Sequence, residues 1–187
     1  MNPNHIKLSH NYWKNILSTG DVAIDATLGN GFDFIVLAKL VLSENFGFLY
    51  GFDIQKKALQ NTKKRFLDNF DKKFLNRTKI FQKSHEDFSK ILEKPKLIVY
   101  NLGYLPGFDK TITTKTESTL KSIKNGLRIS QFLSITCYPG HLEGEKEEVE
   151  ILKFLKNLDK KEFEICYHKW INREKSPTLI WIKNLKF

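Results

Sequence analysis

Residues 22–33 read Val22-Ala23-Ile24-Asp25-Ala26-Thr27-Leu28-Gly29-Asn30-Gly31-Phe32-Asp33, and the reading of this stretch decides the fold. A short apolar run closes on an acid, a Gly-Asn-Gly turn follows, and an apolar segment of helical period then begins. That strand–turn–helix order is how an α/β sheet offers its first loop to a nucleotide-like ligand. Glycine at 29 and 31 lets the backbone enter positive φ and approach a ligand where a Cβ would collide. Asp53 ends a second apolar run, Phe48-Leu49-Tyr50-Gly51-Phe52-Asp53, 22 residues after Gly31. An acid at that place is the usual acceptor for ribose hydroxyls.

The rest of the chain continues the alternation of strand and helix. Residues 5–17 place Ile6, Trp13, Ile16 and Leu17 near helical spacing, so residues 1–20 supply a leading helix packed on the sheet. Ile35, Leu37, Ala38, Val41 and Leu42 form a broadly apolar helix, and a helix over 56–70 buries Leu59, Thr62, Phe66 and Phe70. Further strands are expected at 78–82, 97–100 and 132–138, with a short helix reaching Leu92 and another over 116–127. A helix over 143–158 carries Val149, Leu152, Leu155 and Leu158 on one stripe, with glutamates first and lysines last, as the helix dipole favours. Residues 162–170 and 178–183 alternate as a closing antiparallel pair. About seven strands and six helices in βα order, with no repeat or linker, make residues 1–187 one domain. Its class is α/β, a doubly wound and mostly parallel seven-stranded sheet with helices on both faces and a C-terminal antiparallel strand pair.

A length of 187 residues suits one such domain. The formal net charge of +10 points to a polyanionic partner, although a composition rich in Lys, Asn, Ile and Phe also produces such a charge. Cys137 and Cys166 lie singly in apolar runs without metal-ligand spacing, which predicts small core residues in a reducing compartment and no metal. Residues 1–5 lack the pattern of a secretory signal. The apolar stretch 32–42 is interrupted by Asp33 and Lys39 and falls short of the ~20 residues that cross a bilayer. A soluble, cytoplasmic protein without a membrane partner is expected.

In doubly wound sheets the ligand occupies the crevice beyond the carboxyl ends of the strands. The segments just past those ends are 25–33, 53–55, 84–85, 101–106 and 138–141, and polar side chains converge in all five. The nicotinamide fingerprint wants a third glycine three residues after the second; Phe34 stands there, and the strand ends in Asp25. An acid followed by Gly-x-Gly without the third glycine resembles the S-adenosylmethionine loop of class I methyltransferases. A nicotinamide-dependent oxidoreductase and a non-catalytic RNA-binding module stay open on fold alone.

Five motifs occur together and in order: Asp25-Ala26-Thr27-x-Gly29-Asn30-Gly31-x-Asp33, Gly51-Phe52-Asp53-Ile54-Gln55, Ser84-His85, Asn101-Leu102-Gly103-Tyr104-Leu105-Pro106-Gly107 and Tyr138-x-Gly140-His141. In this the chain resembles a small bacterial family known as rRNA methylases, Rossmann-like enzymes of which some finish wobble-uridine modification in tRNA. The resemblance covers nearly everything after the first helix. It implies S-adenosylmethionine as cofactor, transfer of its methyl to the amine of 5-aminomethyl-2-thiouridine, and the tRNA anticodon stem-loop as partner. An rRNA or small-amine substrate is the alternative within the class, and a homodimer is a further implication. That family usually has His where this chain has Phe32 and Thr where it has Phe34.

The resemblance also assigns roles. Asp25 and Gly29 belong to the cofactor loop, Asn30 and Gly31 lie along the methionine moiety, and Asp33 sits near its ammonium or the turn's amides. Asp53 takes the ribose hydroxyls and Gln55 lies against the adenosine. Ser84 and His85 border the adenine, with a solvent-facing His85 as the rival reading. Asn101 holds the amine through its side-chain oxygen, Tyr104 flanks the base, and His141, with Tyr138, accepts the departing proton. Lys110, Lys115, Lys169, Arg173 and Lys175 are the candidates for gripping phosphates.

Overall fold

Alternating β-branched and aromatic segments pair into one seven-stranded sheet in the computed structural model, which describes residues 4–103 and 115–187. The strands are β1 (Val22–Asp25), β2 (Phe48–Asp53), β3 (Thr78–Gln82), β4 (Leu97–Asn101), β5 (Phe132–Cys137), β6 (Phe163–His168) and β7 (Thr178–Asn184). Their order is β3-β2-β1-β4-β5-β7-β6. The first five run parallel, and β7 is antiparallel to both β5 and β6. The order reverses between β1 and β4, so the crevice expected of such a sheet lies over the ends of those two strands.

Strand alternation sorts the core into two layers. Ala23, Leu49, Leu97, Val99 and Phe132 pack with Trp13 and Leu17 of α1 (Asn4–Ile16 and the residue following it), Phe34 and Leu37 of α2 (Phe32–Val41), and Phe66 of α3 (Lys56–Asn69). Ile24, Tyr50, Phe52, Ile98, Tyr100, Leu133 and Ile135 pack on the other face against Ile123 of α4 (Thr116–Ile129) and Ile151 of α5 (Leu142–Lys156). The same parity carries Asp25, Asp53 and Asn101 toward the α1–α3 side.

The doubly wound class and the antiparallel closing pair match the expectation. Some local readings do not. Residues 84–92 turn without forming the expected helix, and a 3-10 turn occupies Lys72–Arg77 instead. On α5 the buried face carries Gly144, Glu147, Glu148, Ile151 and Leu155, while Val149 is exposed. Hydroxyl partners make those glutamates tolerable inside: Thr119 donates to Glu147 at 2.7 Å, and Thr178 and Tyr167 donate to Glu148. Of the expected stripe, Leu155 is buried and Leu152 and Leu158 pack against the core, so only Val149 falls outside the buried face. Cys137 is buried as expected, but Cys166 is exposed on the outer strand of the sheet. No helix among the described residues is long and apolar enough to cross a membrane.

Candidate active site

The glycine loop between β1 and α2 is built to hold a fixed shape. Gly29 and Gly31 take φ of +50° and +77°, and Gly31 is the left-handed residue from which α2 starts. The second glycine answers to packing as much as to a ligand, because a Cβ there would lie 2.8 Å from the Cα of Thr62 on α3. Asn61 donates to the side-chain oxygen of Asn30 at 2.9 Å, and Arg65 Nε donates to the Asn30 carbonyl at 2.8 Å. The Asn30 side chain is thus engaged with α3, not lying free along the loop. The Arg65 guanidinium also stacks 3.7 Å from the ring centre of Phe32.

Asp53 is anchored by the backbone. Its two oxygens accept from Gly29 N–H and Gln55 N–H, both at 2.9 Å. Burial raises its pKa and those amides oppose the shift. Ile54 N–H also contributes, and since a carboxylate offers about four lone-pair positions, these amides leave capacity for a ribose hydroxyl. The acid closing β1 is more deeply set. Asp25 is fully buried, accepts from Thr27 N–H at 3.1 Å through one oxygen, and has no hydrogen-bond partner at the other. Burial, then the charges of Asp33 and Asp53, hold its pKa well above the ordinary carboxylate value. In a chain of net charge +10 this acidic pocket stands out. An amino acid bearing an ammonium and a sulfonium suits it, so the residues present fit S-adenosylmethionine.

Asp33, at the start of α2, turns away from the glycine loop. Its oxygens meet His10 Nε2 at 2.8 Å and the side-chain amide of Asn101 at 3.1 Å. The Asn101 backbone N–H donates to Thr27 Oγ1 at 2.7 Å, tying β4 to the first loop. Tyr138, just past β5, also hydrogen-bonds the Asn101 side chain. Its hydroxyl lies 3.3 Å from His5 Nε2, and the two rings meet edge to face. Burial, with the Asp33 charge adding, pushes the Tyr138 phenol up to about 12. Burial lowers the His5 pKa against a smaller opposing pull from Asp33, which keeps the ring neutral at pH 7.

The structure therefore brings together Asp25, Gly29, Asp33, Asp53, Asn101 and Tyr138. His141 is placed differently: its Nδ1 accepts from Gly144 N–H at 3.1 Å and caps α5. His85 is not solvent-facing. It is buried edge-on to Tyr100, a residue of the opposite sheet face, with Nδ1 lacking a hydrogen-bond partner, and burial drives its pKa down to about 4. Ser84 Oγ accepts a long contact of 3.5 Å from Glu86 N–H. Gln55 directs its backbone N–H to Asp53. Tyr104 and Lys110 lie outside the described residues. Among those described, no three His, Cys, Asp or Glu side chains are grouped to hold a metal.

Sequence reading missed His5, His10, Thr27, Asn61 and Arg65. Signals existed: His5, Ser9 and Trp13 are the buried residues of α1, a helical spacing obscured because two of the three are polar.

Comparison with known proteins agrees with this geometry. A family model described as "Putative rRNA methylase" matches residues 49–184. The chain is 31% identical over 186 residues to a chloroplastic tRNA (mnm(5)s(2)U34)-methyltransferase of Arabidopsis thaliana, covering 94% of this chain and 68% of that protein. The crystal structure of a "putative rRNA-methylase" from Clostridium thermocellum superposes with a TM-score of 0.91 at 32% identity, over 99% of this chain and 100% of that one. A "putative methyltransferase" from Streptococcus mutans, solved in complex with S-adenosylhomocysteine, gives 0.82 at 29% identity over 99% and 100% of the two chains. With the acid-lined loop and its matching relatives, the chain belongs to the "Putative rRNA methylase" family and is an S-adenosylmethionine-dependent methyltransferase.

Proposed function

We propose that this enzyme is a tRNA-modifying N-methyltransferase whose acceptor is the aminomethyl nitrogen of 5-aminomethyl-2-thiouridine at the wobble position. One observation carries the proposal: Asp33 accepts from the NH2 end of Asn101, which turns the amide oxygen the other way, where it can accept from an amine N–H beside Tyr138. The name of the Arabidopsis relative supports the choice of amine, and the charge of +10 supports RNA. A wobble base is single-stranded and can be splayed into a pocket.

S-adenosylmethionine, when bound, supplies an electrophilic methyl group. Asp53 would hold its ribose, with Gln55, Ser84 and His85 toward the adenosine; Asp25 and the 29–31 turn would hold its amino-acid part. Asn101 orients the acceptor nitrogen, and orientation is where most of the acceleration originates. That nitrogen must be neutral; for an amine of pKa near ~10.4 this costs ~4.6 kcal/mol at pH 7, which a desolvated pocket lowers. The departing proton would leave by relay, the Tyr138 oxygen taking it while the Tyr138 O–H proton passes to His5, because the His141 Nδ1 is already committed to α5. Tyr104 would flank the base. The protein is assigned to the cytoplasm, as a homodimer, in this same reading.

The family description favours a second substrate, rRNA. One experiment separates the two: incubate the enzyme with methyl-labelled cofactor and either tRNA bearing the aminomethyl group or total rRNA, then map the label. Label in the wobble uridine supports the proposal. Label in rRNA alone overturns it.

A further inference from the structure

Beside the proposed acceptor site is a cleft of about 220 Å3 between the first turns of α1 and the connection from β6 to β7. His5, Leu8, Tyr167, Lys169, Trp170 and Pro177 line it. It opens at the catalytic end of the sheet, because Thr178 at the start of the antiparallel β7 pairs with Cys137 at the end of β5. His5 joins that site to the cleft, lining the cleft while its Nε2 lies 3.3 Å from the Tyr138 hydroxyl. We infer that this cleft receives the nucleobase adjacent to the methylated one, stacked on Trp170 with its phosphate against Lys169; the inference rests on the RNA reading above.

Size, surface and charge each select that occupant. The volume is below the ~300–1,000 Å3 usual for drug-sized ligands, which suits one planar heterocycle and excludes a peptide helix. Trp170 is 37% exposed, whereas Trp13 and Trp181 are 3% and 9% exposed, so an indole is kept at the surface here without a core role. An exposed aromatic beside a cation is the usual platform for an unstacked base. The connection supplies three cations, Lys169, Arg173 and Lys175, against the single anion Glu174. The wall behind is rigid: Tyr12 donates to or accepts from His168 Nε2 at 2.8 Å and stacks on Trp181.

The test uses full-length enzyme and anticodon stem-loops carrying the acceptor amine, intact or abasic at either neighbour of the target. For the wild type, one abasic substitution is expected to raise KM by roughly 5- to 150-fold, the range of base–aromatic stacking, with kcat within about threefold. Trp170→Ala is expected to raise KM equally on the intact loop and to add nothing on that abasic loop, while Trp170→Phe restores most of the loss and S-adenosylhomocysteine affinity stays unchanged in both variants. Equal KM for intact and both abasic loops overturns the inference alone, as does a Trp170→Ala loss that is the same on every loop. Wild-type enzyme that binds S-adenosylhomocysteine but methylates none of the loops overturns the RNA reading and this inference with it.

Discussion

Asp33 accepts from the side-chain amide of Asn101 at 3.1 Å, a bond that fixes the orientation of the residue proposed to hold the acceptor amine. His10 holds the other oxygen at 2.8 Å, and the pair sits where α1, α2 and β4 meet. Asn101→Ala is expected to leave S-adenosylhomocysteine affinity within about threefold and to cut turnover by about two orders of magnitude, the scale of one positioned hydrogen bond in a water-excluded site. Asp33→Asn leaves Asn101 in place but lets its amide turn over, so a smaller fall of about tenfold in kcat is expected. Single-turnover rates at saturating cofactor check both; normal turnover in Asn101→Ala removes its assigned role.

The contact between His5 and Tyr138 links the end of β5 to α1, two residues 133 positions apart in the chain. If one carries the proton to the other, the two act as a unit. Tyr138→Phe and His5→Gln should each lower kcat by roughly tenfold, and the double variant should lose little more than either single one. Multiplying losses in the double variant would separate the two residues functionally.

The framework was legible because short, nearly continuous apolar runs end in Asp25, Asp53 and Asn101 and sit before turns, as central parallel strands do. Those endings also pointed to the loop proposed to hold the cofactor. The α1 contribution was hidden for a physical reason: His5 and His10 are polar, and nothing in their spacing says that they turn inward to meet Tyr138 and Asp33. The position of His141 was not legible either: a histidine after Pro-Gly reads as a base or as a turn residue, and its sequence does not announce the 3.1 Å bond by which its Nδ1 accepts from Gly144 N–H at the start of α5. Nothing in the sequence marks Glu147 and Glu148 as inward-facing; they are buried because Thr119 and Thr178 stand opposite.

Asp53 connects the second strand to the first loop through Gly29 N–H at 2.9 Å, so it shapes the site as well as lining it. Asp53→Ala should abolish measurable S-adenosylhomocysteine binding by calorimetry while the protein retains its far-ultraviolet circular dichroism. Retained affinity would remove the ribose assignment.

His85 makes the fold acid-sensitive. Its pKa is about 4 when folded, against 6.5 for the ordinary side chain, so the unfolded chain binds the extra proton between those values. Its contribution is fully present above pH 6.5 and is lost as the pH falls through 4, reaching about 2 kcal/mol near pH 5 and on the order of 3 kcal/mol below both values. His85→Leu should remove that part of the difference between denaturation curves taken near pH 7.5 and near pH 5. An unchanged difference would mean that the ring is accessible to protons in the native state.

Gly31 is the position where the loop tolerates no side chain. It sits at φ +77°, and an added Cβ would lie 2.8 Å from both Cα and Oγ1 of Thr62. Gly31→Ala therefore combines left-handed strain with overpacking and should cost about 2–4 kcal/mol in denaturant unfolding, with weaker S-adenosylhomocysteine binding as α3 is pushed off the loop. Thr62→Ala should not rescue it, because the nearest contact includes the Thr62 Cα, which that change leaves in place. Gly140→Ala is the control: its Cβ would meet only the Lys175 carbonyl, at 3.5 Å, and a change within about 0.5 kcal/mol is expected. Equal effects at the two glycines would show that α3 yields readily and that the loop's shape does not depend on that packing.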